Sequence, residues 1–569
     1  MRRIPWRLVR GPAICAAALI AFVVCVALTA GREPLPLQRV FVAALMLCTV
    51  GALLCLFARF ATALLVGGGL FLALKFIAVM KLRYLEEQLM PSDFIYYVRT
   101  SLLDTLRHYP HLYVLGISLL LVLPPLLYLT WRWDWRVLSG LRLRWSLVLR
   151  GAGLLLSVLA FWWCMLPGGP FAPVHTRNTW EKLSDDAHLT NFFVNFRDSE
   201  VTLPVMSSAA IAEHAWDTTA QGTPASRPPP YPDIVQVLEE STFDPSIYTD
   251  CTVPACHLAM FKADASTRGT GVLRTHTFGG GTWVSEFAVL TGMPQDIFGP
   301  GGMYAPYVLA PHVRDTLPQA LRRLGYLTIA IYPTAGSFIN GRNAYRAYGF
   351  DHLYDVNELR LEEWEETDKQ MFDAAKRVYD KVKKPGQPVF VMILTLNQHG
   401  PHDDPMATLP PPFRNLLHGL KLPVALNFDT YLSRLHDSDL AISGLEHDFL
   451  DRSQPTVLLH FGDHQPSFDG MIRPLPRTLP PALEPYRDFL TYYMIKSNFA
   501  GPPLPRYPML DIAFLPSMVL QAAGLPQDPY FAALTELRNR CDGRYGDCAV
   551  PGVLDSYYGW IFGQLHEYQ

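Results

Sequence analysis

Two patterns of apolar residues divide the chain. Through residue 166 the apolar positions run in nearly unbroken blocks, and from Tyr231 onward they come as short runs separated by polar, helix-forming stretches. A helix that crosses a bilayer needs about 20 apolar residues at ~1.5 Å rise each. Five blocks meet that length: 13–30, 38–57, 60–80, 112–130 and 146–166. Arg2, Arg3, Arg7 and Arg10 precede the first as they would a signal peptide. No small-residue cleavage site comes after it and further spans come at once, so it reads as an uncleaved anchor.

Basic residues in short loops set orientation. The N-terminal arginines, Arg59 after two crossings, and Arg132, Arg136, Arg142, Arg144 and Arg150 after four all fall on one side. Five crossings then place everything beyond Leu166 outside the cytoplasm. The expected organisation is a membrane domain over 1–166, a connecting region over 167–230 and an outer domain over 231–569, in a multi-pass protein of the cytoplasmic (inner) membrane whose outer domain faces the periplasm or cell exterior. Within the connecting region, Pro167-Gly168-Gly169-Pro170 ends the last span, 178–198 suits a surface helix, and Pro224, Pro228, Pro229 and Pro230 mark a stiff, extended linker. Segment 85–110, with Met90-Pro91-Ser92-Asp93 and the aromatics Phe94, Tyr96 and Tyr97, reads as an interfacial elbow.

The outer domain alternates apolar runs with helical stretches, the pattern of an α/β domain. Segments 233–238, 327–332, 389–396, 456–461 and 491–495 read as buried parallel strands. The fold class expected is therefore an α-helical membrane domain of five helices joined to an α/β extracytoplasmic domain.

Composition agrees. The chain is 50% hydrophobic and 17% charged, against about 25% charged in a soluble domain. A formal net charge of -3 gives no basic field for nucleic acid, so no nucleic-acid partner is expected, whereas the lipid bilayer is one. Cys15, Cys25, Cys48, Cys55 and Cys164 fall within the spans, where a thiol acts as a small apolar residue. Cys251/Cys256 and Cys541/Cys548 are close pairs in a compartment that permits disulfides. Their spacings do not suit a zinc knuckle.

The residues just past the strands carry the chemistry. Glu239-Glu240-Ser241, Asn397-Gln398-His399 and Gly462-Asp463-His464 stand at the ends of three of them, and ligands of open α/β sheets bind beyond those carboxyl ends. The Gly-rich turn 275–281 opens onto WVSEFAVLTG, which reads as helix, with Thr282 at its start. Free N–H groups there favour anionic oxygen. A lone Thr at that position is most often a helix cap. Set beside Glu240, Asp463 and His464, it completes a divalent-metal donor set.

Thr282-Trp-Val-Ser-Glu286-Phe287 with LTG after it, Glu240-Ser241 after a strand, and Gly462-Asp463-His464 resemble the lipoteichoic acid synthase and phosphoglycerol transferase family, within the alkaline phosphatase/sulfatase superfamily. The resemblance extends to the five-span anchor, the Ser92-Asp93 elbow and the linker. It implies that Glu240, Thr282, Asp463 and His464 hold one divalent ion, with Mn2+ favoured over Mg2+ or Zn2+, that Thr282 is also the nucleophile, and that His399 binds substrate. It also implies a head-group-binding Arg in a segment like Phe338-Ile-Asn340-Gly341-Arg342-Asn343-Ala-Tyr345, which nominates Arg342 and Asn340, although Arg342 stands one residue nearer the Tyr than the family pattern. A surface salt bridge is the competing reading of Arg342. Asn397 and His402 line the pocket or satisfy loop backbone, and His436, Asp437 and Asp439, on an apparent helix over 428–445, read as a solvated face.

The leading function is transfer of phosphoglycerol from phosphatidylglycerol to a glycan or glycolipid acceptor outside the cytoplasm. The alternative is phosphoethanolamine transfer to lipid A or a periplasmic glycan; His399-Gly400-Pro401 resembles that family, but its SDHGES-type segment is replaced by Gly462-Asp463-His464-Gln465-Pro466. A sulfatase would need a CxPxR-like context for formylglycine, which the sequence lacks. A silent scaffold would be expected to lose some of the four donors.

Overall fold

The computed structural model describes residues 6–85, 88–96, 110–175, 187–197, 201–417, 419–468 and 471–569. It divides into two compact units, Met1–Arg197 and Asp198–Gln569.

The first unit contains the helices Trp6–Leu28, Pro36–Phe57, Phe60–Leu85, Pro110–Trp133 and Leu143–Met165. Among the described residues, five helices are long and apolar enough to cross a membrane. Leu120, Leu143 and Leu156 are largely exposed, a placement that suits hydrocarbon and not water. Phe41, Val42, Leu45, Met46 and Phe71 form the interior. At one end of the bundle the buried Asp134 carboxylate accepts from the Ala61 and Thr62 N–H groups at 2.9 and 2.7 Å, capping the third helix, and Arg59 donates to the Asp134 carbonyl at 2.8 Å. Arg150 donates to the Cys55 carbonyl at 2.7 Å. The Arg59 turn and the loop 132–150 thus meet, as the distribution of arginines requires. Elsewhere in this unit Glu33 accepts from Leu189 and Thr190, both at 3.3 Å, and Lys81 pairs with Asp93 at 2.9 Å in the elbow. Of the helix expected over 178–198, residues 178–186 and 198 lie outside the described residues, and the remainder forms the helix His188–Val194 and the adjoining turn Asn195–Arg197. Residues 86–87 and 97–109 of the expected elbow also lie outside them.

The second unit is built on one eight-stranded sheet: β1 (Asp233–Glu239), β2 (Thr267–Arg274), β3 (Leu327–Ile331), β4 (His352–Tyr354), β5 (Val389–Leu394), β6 (Thr456–Gly462), β7 (Leu490–Ser497) and β8 (Leu510–Asp511), in the order β4-β3-β5-β1-β6-β7-β2-β8. β1 lies parallel between β5 and β6, with Leu238 opposite Leu394 and Glu239 opposite Gly462. β7 corrects an expectation. It pairs antiparallel with both β6 and β2, and all eight of its residues are buried. A strand covered on both faces shows the same continuous apolar run whichever way it points.

On one face Ile234, Leu238, Met392, Leu459 and Phe461 share a core with Phe287 and Leu290 of the helix Thr282–Thr291 and Met518 and Val519 of the helix Leu515–Ala522. The alternate residues Val235, Val237, Val391 and Ile393 are equally buried. The helices Asp368–Val382 and Leu422–Leu450 contact β5 and β6 respectively.

The expected linker is not a free tether throughout. Thr202 N–H donates to the Phe298 carbonyl at 2.9 Å, Trp216 is wholly buried with its indole N–H on Ser556 at 3.2 Å, and Thr223 pairs with Gln527. Cys251–Cys256 and Cys541–Cys548 are disulfide-bonded. The entropy model gives the second, shorter than ten residues, about 2.5 kcal/mol.

Candidate metal centre

The site forms where β5, β1 and β6 end side by side. β1 continues past Glu239 into Glu240 and Ser241, and Ser241 takes φ 51. That turn aims the Ser241 N–H at Asp463 Oδ1, 2.8 Å away. Tyr431 rivets the turn, its hydroxyl accepting from Phe243 N–H at 3.1 Å and donating to the Ser241 carbonyl at 3.2 Å. β6 must end in glycine for the two turns to coexist, because a Cβ at Gly462 would be driven into the Thr242 carbonyl.

Glu240, Asp463 and His464 are fully or almost fully buried, and one donor atom from each converges within 4.8 Å. His464 Nε2 lies 3.3 Å from Glu240 Oε1 and 3.3 Å from Asp463 Oδ2. Its Nδ1 lies 3.0 Å from the Gln465 carbonyl, which can only accept, so Nδ1 carries a proton and Nε2 is the atom presented to the cluster. Asp463 Oδ1 is already held by the Ser241 and His464 N–H groups, while Oδ2 has no hydrogen-bond partner. Thr282, first residue of the helix Thr282–Thr291, donates its hydroxyl to Glu240 Oε2.

Burial pushes the Asp463 carboxyl well above the usual range and the Glu240 charge adds to it. Burial works the same way on Glu240, but the His464 charge and hydrogen bond, with His399 and Thr282, outweigh it and bring that group to about 2. Against its own burial, His464 is lifted to about 10 by Asp463 and Glu240. Two buried carboxylates thus compete for one imidazole's positive charge. The two carboxylates of Glu240 and Asp463, the His464 imidazole and the Thr282 hydroxyl make a mixed oxygen/nitrogen donor set that fits a divalent cation.

The other residues expected at the site divide between it and its surroundings. His399 is half-buried after β5, its Nδ1 donating to the Gly400 carbonyl at 2.7 Å and its ring edge-on to Trp364 at 5.2 Å, which leaves Nε2 for chemistry. His402 is buried against Tyr431 and Phe468, neither ring nitrogen has a hydrogen-bond partner, and burial holds it well below its ordinary range, so it is neutral. Arg342 and Asn340, nominated for the head group, are engaged elsewhere. Arg342 pairs with Asp355 at 2.7 Å and Glu358 at 2.8 Å, and Asn340 donates to the Pro306 carbonyl at 2.9 Å. Arg342 thus makes the salt bridge of the competing reading, reaching from its own helix, Gly341–Tyr348, to carboxylates at the start of the helix Val356–Leu359. Asn397 donates to the Arg434 carbonyl at 3.1 Å and to Ser438 at 3.2 Å, the backbone-satisfying role. Asp437 is exposed, as a solvated face requires, but Asp439 accepts from Met260 N–H at 2.7 Å and His436 lies against Phe413.

Residues around the cluster escaped sequence reasoning. Ser285 donates to the Asp463 carbonyl at 2.7 Å, and the buried Glu286 is raised to about 8, first by desolvation. Both share a helix face with Thr282 through i+3 and i+4 spacing, a signal open to inspection. His276, at the base of the Gly-rich turn, sits between Asp296 (3.0 Å) and Asp511 (3.0 Å).

Residues 232–510 match the Sulfatase family model. Over 348 residues the chain is 31% identical to an uncharacterized Haemophilus influenzae protein, covering 59% of this chain and 61% of that one. Over 322 residues it is 23% identical to a Rhizobium meliloti protein described as a "Putative cyclic beta-1,2-glucan modification protein", covering 53% and 47%. The chain thus spans about half to three-fifths of the length of these two relatives. The structure of the Streptococcus pyogenes phosphoglycerol transferase GacH with sn-glycerol-1-phosphate aligns with a TM-score of 0.49 at 17% identity, over 65% of this chain and 99% of that one.

Proposed function

We propose, from the match of residues 232–510 to the Sulfatase family model, that the protein is a membrane-anchored, metal-dependent transferase of the alkaline phosphatase superfamily. It moves phosphoglycerol from phosphatidylglycerol to a glycan or glycolipid outside the cytoplasm, through a covalent intermediate on Thr282. The convergence of Thr282, Glu240, Asp463 and His464 carries this reading. The five apolar helices support a lipid donor, because they keep the domain at the bilayer that contains it. The description of the Rhizobium relative names a glucan, which supports a glycan acceptor.

Glu240, Asp463, His464 and Thr282 would hold the ion, Mn2+ in preference to Mg2+ or Zn2+, and when bound it supplies positive charge that favours the threonine alkoxide and the phosphate oxygens. Thr282 Oγ attacks phosphorus, with Glu240 placed to receive its proton. The phosphorus–oxygen bond to diacylglycerol breaks, leaving the head group esterified to Thr282, and the leaving oxygen takes the proton that Glu240 received. An acceptor hydroxyl then attacks the same phosphorus, its proton passing to His399 Nε2, the bond to Thr282 Oγ breaks, and the proton returned to Oγ restores the threonine hydroxyl. Two in-line displacements give ping-pong kinetics and retained configuration at phosphorus.

The test mixes full-length protein with phosphatidylglycerol without acceptor and analyses the Thr282 peptide by mass spectrometry. A glycerophosphoryl adduct is expected. An adduct formed only from phosphatidylethanolamine would transfer the proposal to that donor, and no adduct from either, with turnover surviving Thr282→Ala, would overturn the mechanism. Stoichiometric zinc in the purified protein, with zinc alone restoring the apo-enzyme, would overturn the preference for Mn2+. A C-terminal reporter active only in the cytoplasm would overturn the orientation.

A further inference from the structure

The geometry points to Gln465 as a positioning residue that sets the imidazole donor and the nucleophile loop together. This inference rests on the proposed metal centre and extends it to a residue that touches neither ion nor substrate. One atom does both jobs. The Gln465 carbonyl oxygen accepts from His464 Nδ1 at 3.0 Å and from the Gly279 N–H at 2.9 Å. The first bond fixes the tautomer and direction of the ring, and the second fixes the Gly-rich turn three residues before Thr282.

A carbonyl holds two donors in place only if its own peptide cannot rotate, and the Gln465 side chain is clamped on every side. It is fully buried. Its Nε2 donates to the Arg487 carbonyl at 2.9 Å and to the Leu490 carbonyl at 2.8 Å. Its Oε1 accepts from the Tyr248 hydroxyl at 3.3 Å and from Arg477 at 3.4 Å. Arg477 in turn donates to Tyr248 at 2.7 Å, lies over its ring at 4.8 Å and pairs with Asp488 at 2.9 Å. All four side-chain hydrogen-bonding positions of the amide are therefore used, by partners from the start of β7, the turn before it, the loop after β1 and the loop after β6. On the other side of the carbonyl, Gly279 takes φ +72, and a Cβ there would stand 2.7 Å from the Ser467 Cβ. The Gly-rich turn can approach Gln465 this closely only as glycine.

Removing this clamp should loosen two things at once. Outer partners that orient a ligating histidine typically change ion affinity by about 10–100-fold. The experiment compares wild type with Gln465→Ala and Tyr248→Phe as purified full-length protein, loaded with Co2+ for visible absorption and titrated with Mn2+. Gln465→Ala should lower Mn2+ affinity by about 10–100-fold and change the Co2+ spectrum, because the ring is no longer held in one direction. At saturating Mn2+ its rate of Thr282 adduct formation should stay below wild type, because the Gly279 contact is loosened as well. Tyr248→Phe removes one partner of Oε1 and should move affinity the same way by less, so it carries the test if Gln465→Ala fails to fold. A residue with a merely structural role would lower thermal stability and leave the spectrum of the bound ion unchanged. Wild-type affinity and spectrum in both variants would overturn the role of Gln465 alone. A wild type that takes up neither ion would overturn the proposed metal centre and this inference with it.

Discussion

Two buried clusters of carboxylate and imidazole begin from adjacent residues at the end of β1, and they settle their charges in opposite ways. Glu240 meets His464 at 3.3 Å, and Glu239 meets His460 at 3.8 Å. Around Glu239 the groups neutralise each other. Burial raises its carboxyl well above the usual range, with Asp368 adding to the effect, and its Oε2 accepts from the Tyr492 hydroxyl at 2.6 Å. Burial and Lys496 bring His460 down to about 3, while the positive charge sits on Lys496, between Glu446 (2.7 Å) and Asp264 (2.8 Å). Around Glu240, among the described residues, no lysine or arginine pairs with the site, so His464, with His399 beyond it, answers two carboxylates. Burial of acid beside imidazole is thus not what marks a metal centre. Unpartnered atoms do not mark it either, since Glu239 Oε1 and His460 Nε2 also lack hydrogen-bond partners. Among the described residues, what sets the Glu240 cluster apart is the convergence of donor atoms from three residues within 4.8 Å, with no lysine or arginine to balance its two carboxylates.

Substitutions sort along this comparison. Glu240→Ala or Asp463→Ala should abolish turnover and strip the ion, because each removes an anion that offsets its desolvation; metal analysis and turnover on the same preparation check this. His399→Ala should reduce turnover by about 10²–10⁴-fold, the range of a lost general acid or base, with ion content unchanged. Ion loss in that variant would make His399 a fifth donor. The pH dependence of stability separates two imidazoles outside the centre. His276 is pushed down by burial, but Asp511 and Asp296 outweigh this and lift it to about 10. Its stabilisation is full below its unfolded value, about 6.5, and is lost as pH rises through 10. His460, held near 3, stays neutral in the fold while the unfolded chain takes up a proton, so its effect runs the other way: stability is full above about 6.5 and is lost as pH falls toward 3. Thermal unfolding of His276→Gln and His460→Gln should flatten the alkaline and acid limbs respectively. The smallest effect belongs to Glu239→Gln, which keeps an acceptor for Tyr492 and should cost about 1 kcal/mol or less with ion content and turnover retained. Ion loss there would erase the distinction between the clusters.

Three of the four proposed donors were legible because strand ends in an α/β sheet collect chemistry, and Glu240, Asp463 and His464 come just after apolar runs; Thr282 showed as the helix start after a Gly-rich turn. Strands β1, β3, β5 and β6 were legible for the same reason. β2 was not, since TRGTGVLR carries two glycines and is only half-buried, and β4 and β8 are too short to show a period. The direction of β7 left no mark on its residues. Gln465 was hidden because its role depends on a carbonyl oxygen, which every residue has, and on partners far away in sequence. Arg342 is ambiguous for the opposite reason: a guanidinium suits phosphate and carboxylate alike, and here it pairs with Asp355 and Glu358.

The sheet ends in β4, three residues long, on one side and β8, two residues long, on the other. A sheet margin exposes unpaired N–H and C=O groups that another chain's strand can join, and the length of that margin limits how firmly it can do so. Proteins confined to a membrane meet one another by diffusion in two dimensions, at high local concentration and in similar orientations. Margins this short offer an arriving strand few rungs to grip, so the eight-stranded platform can be carried through a crowded leaflet without zipping onto its neighbours.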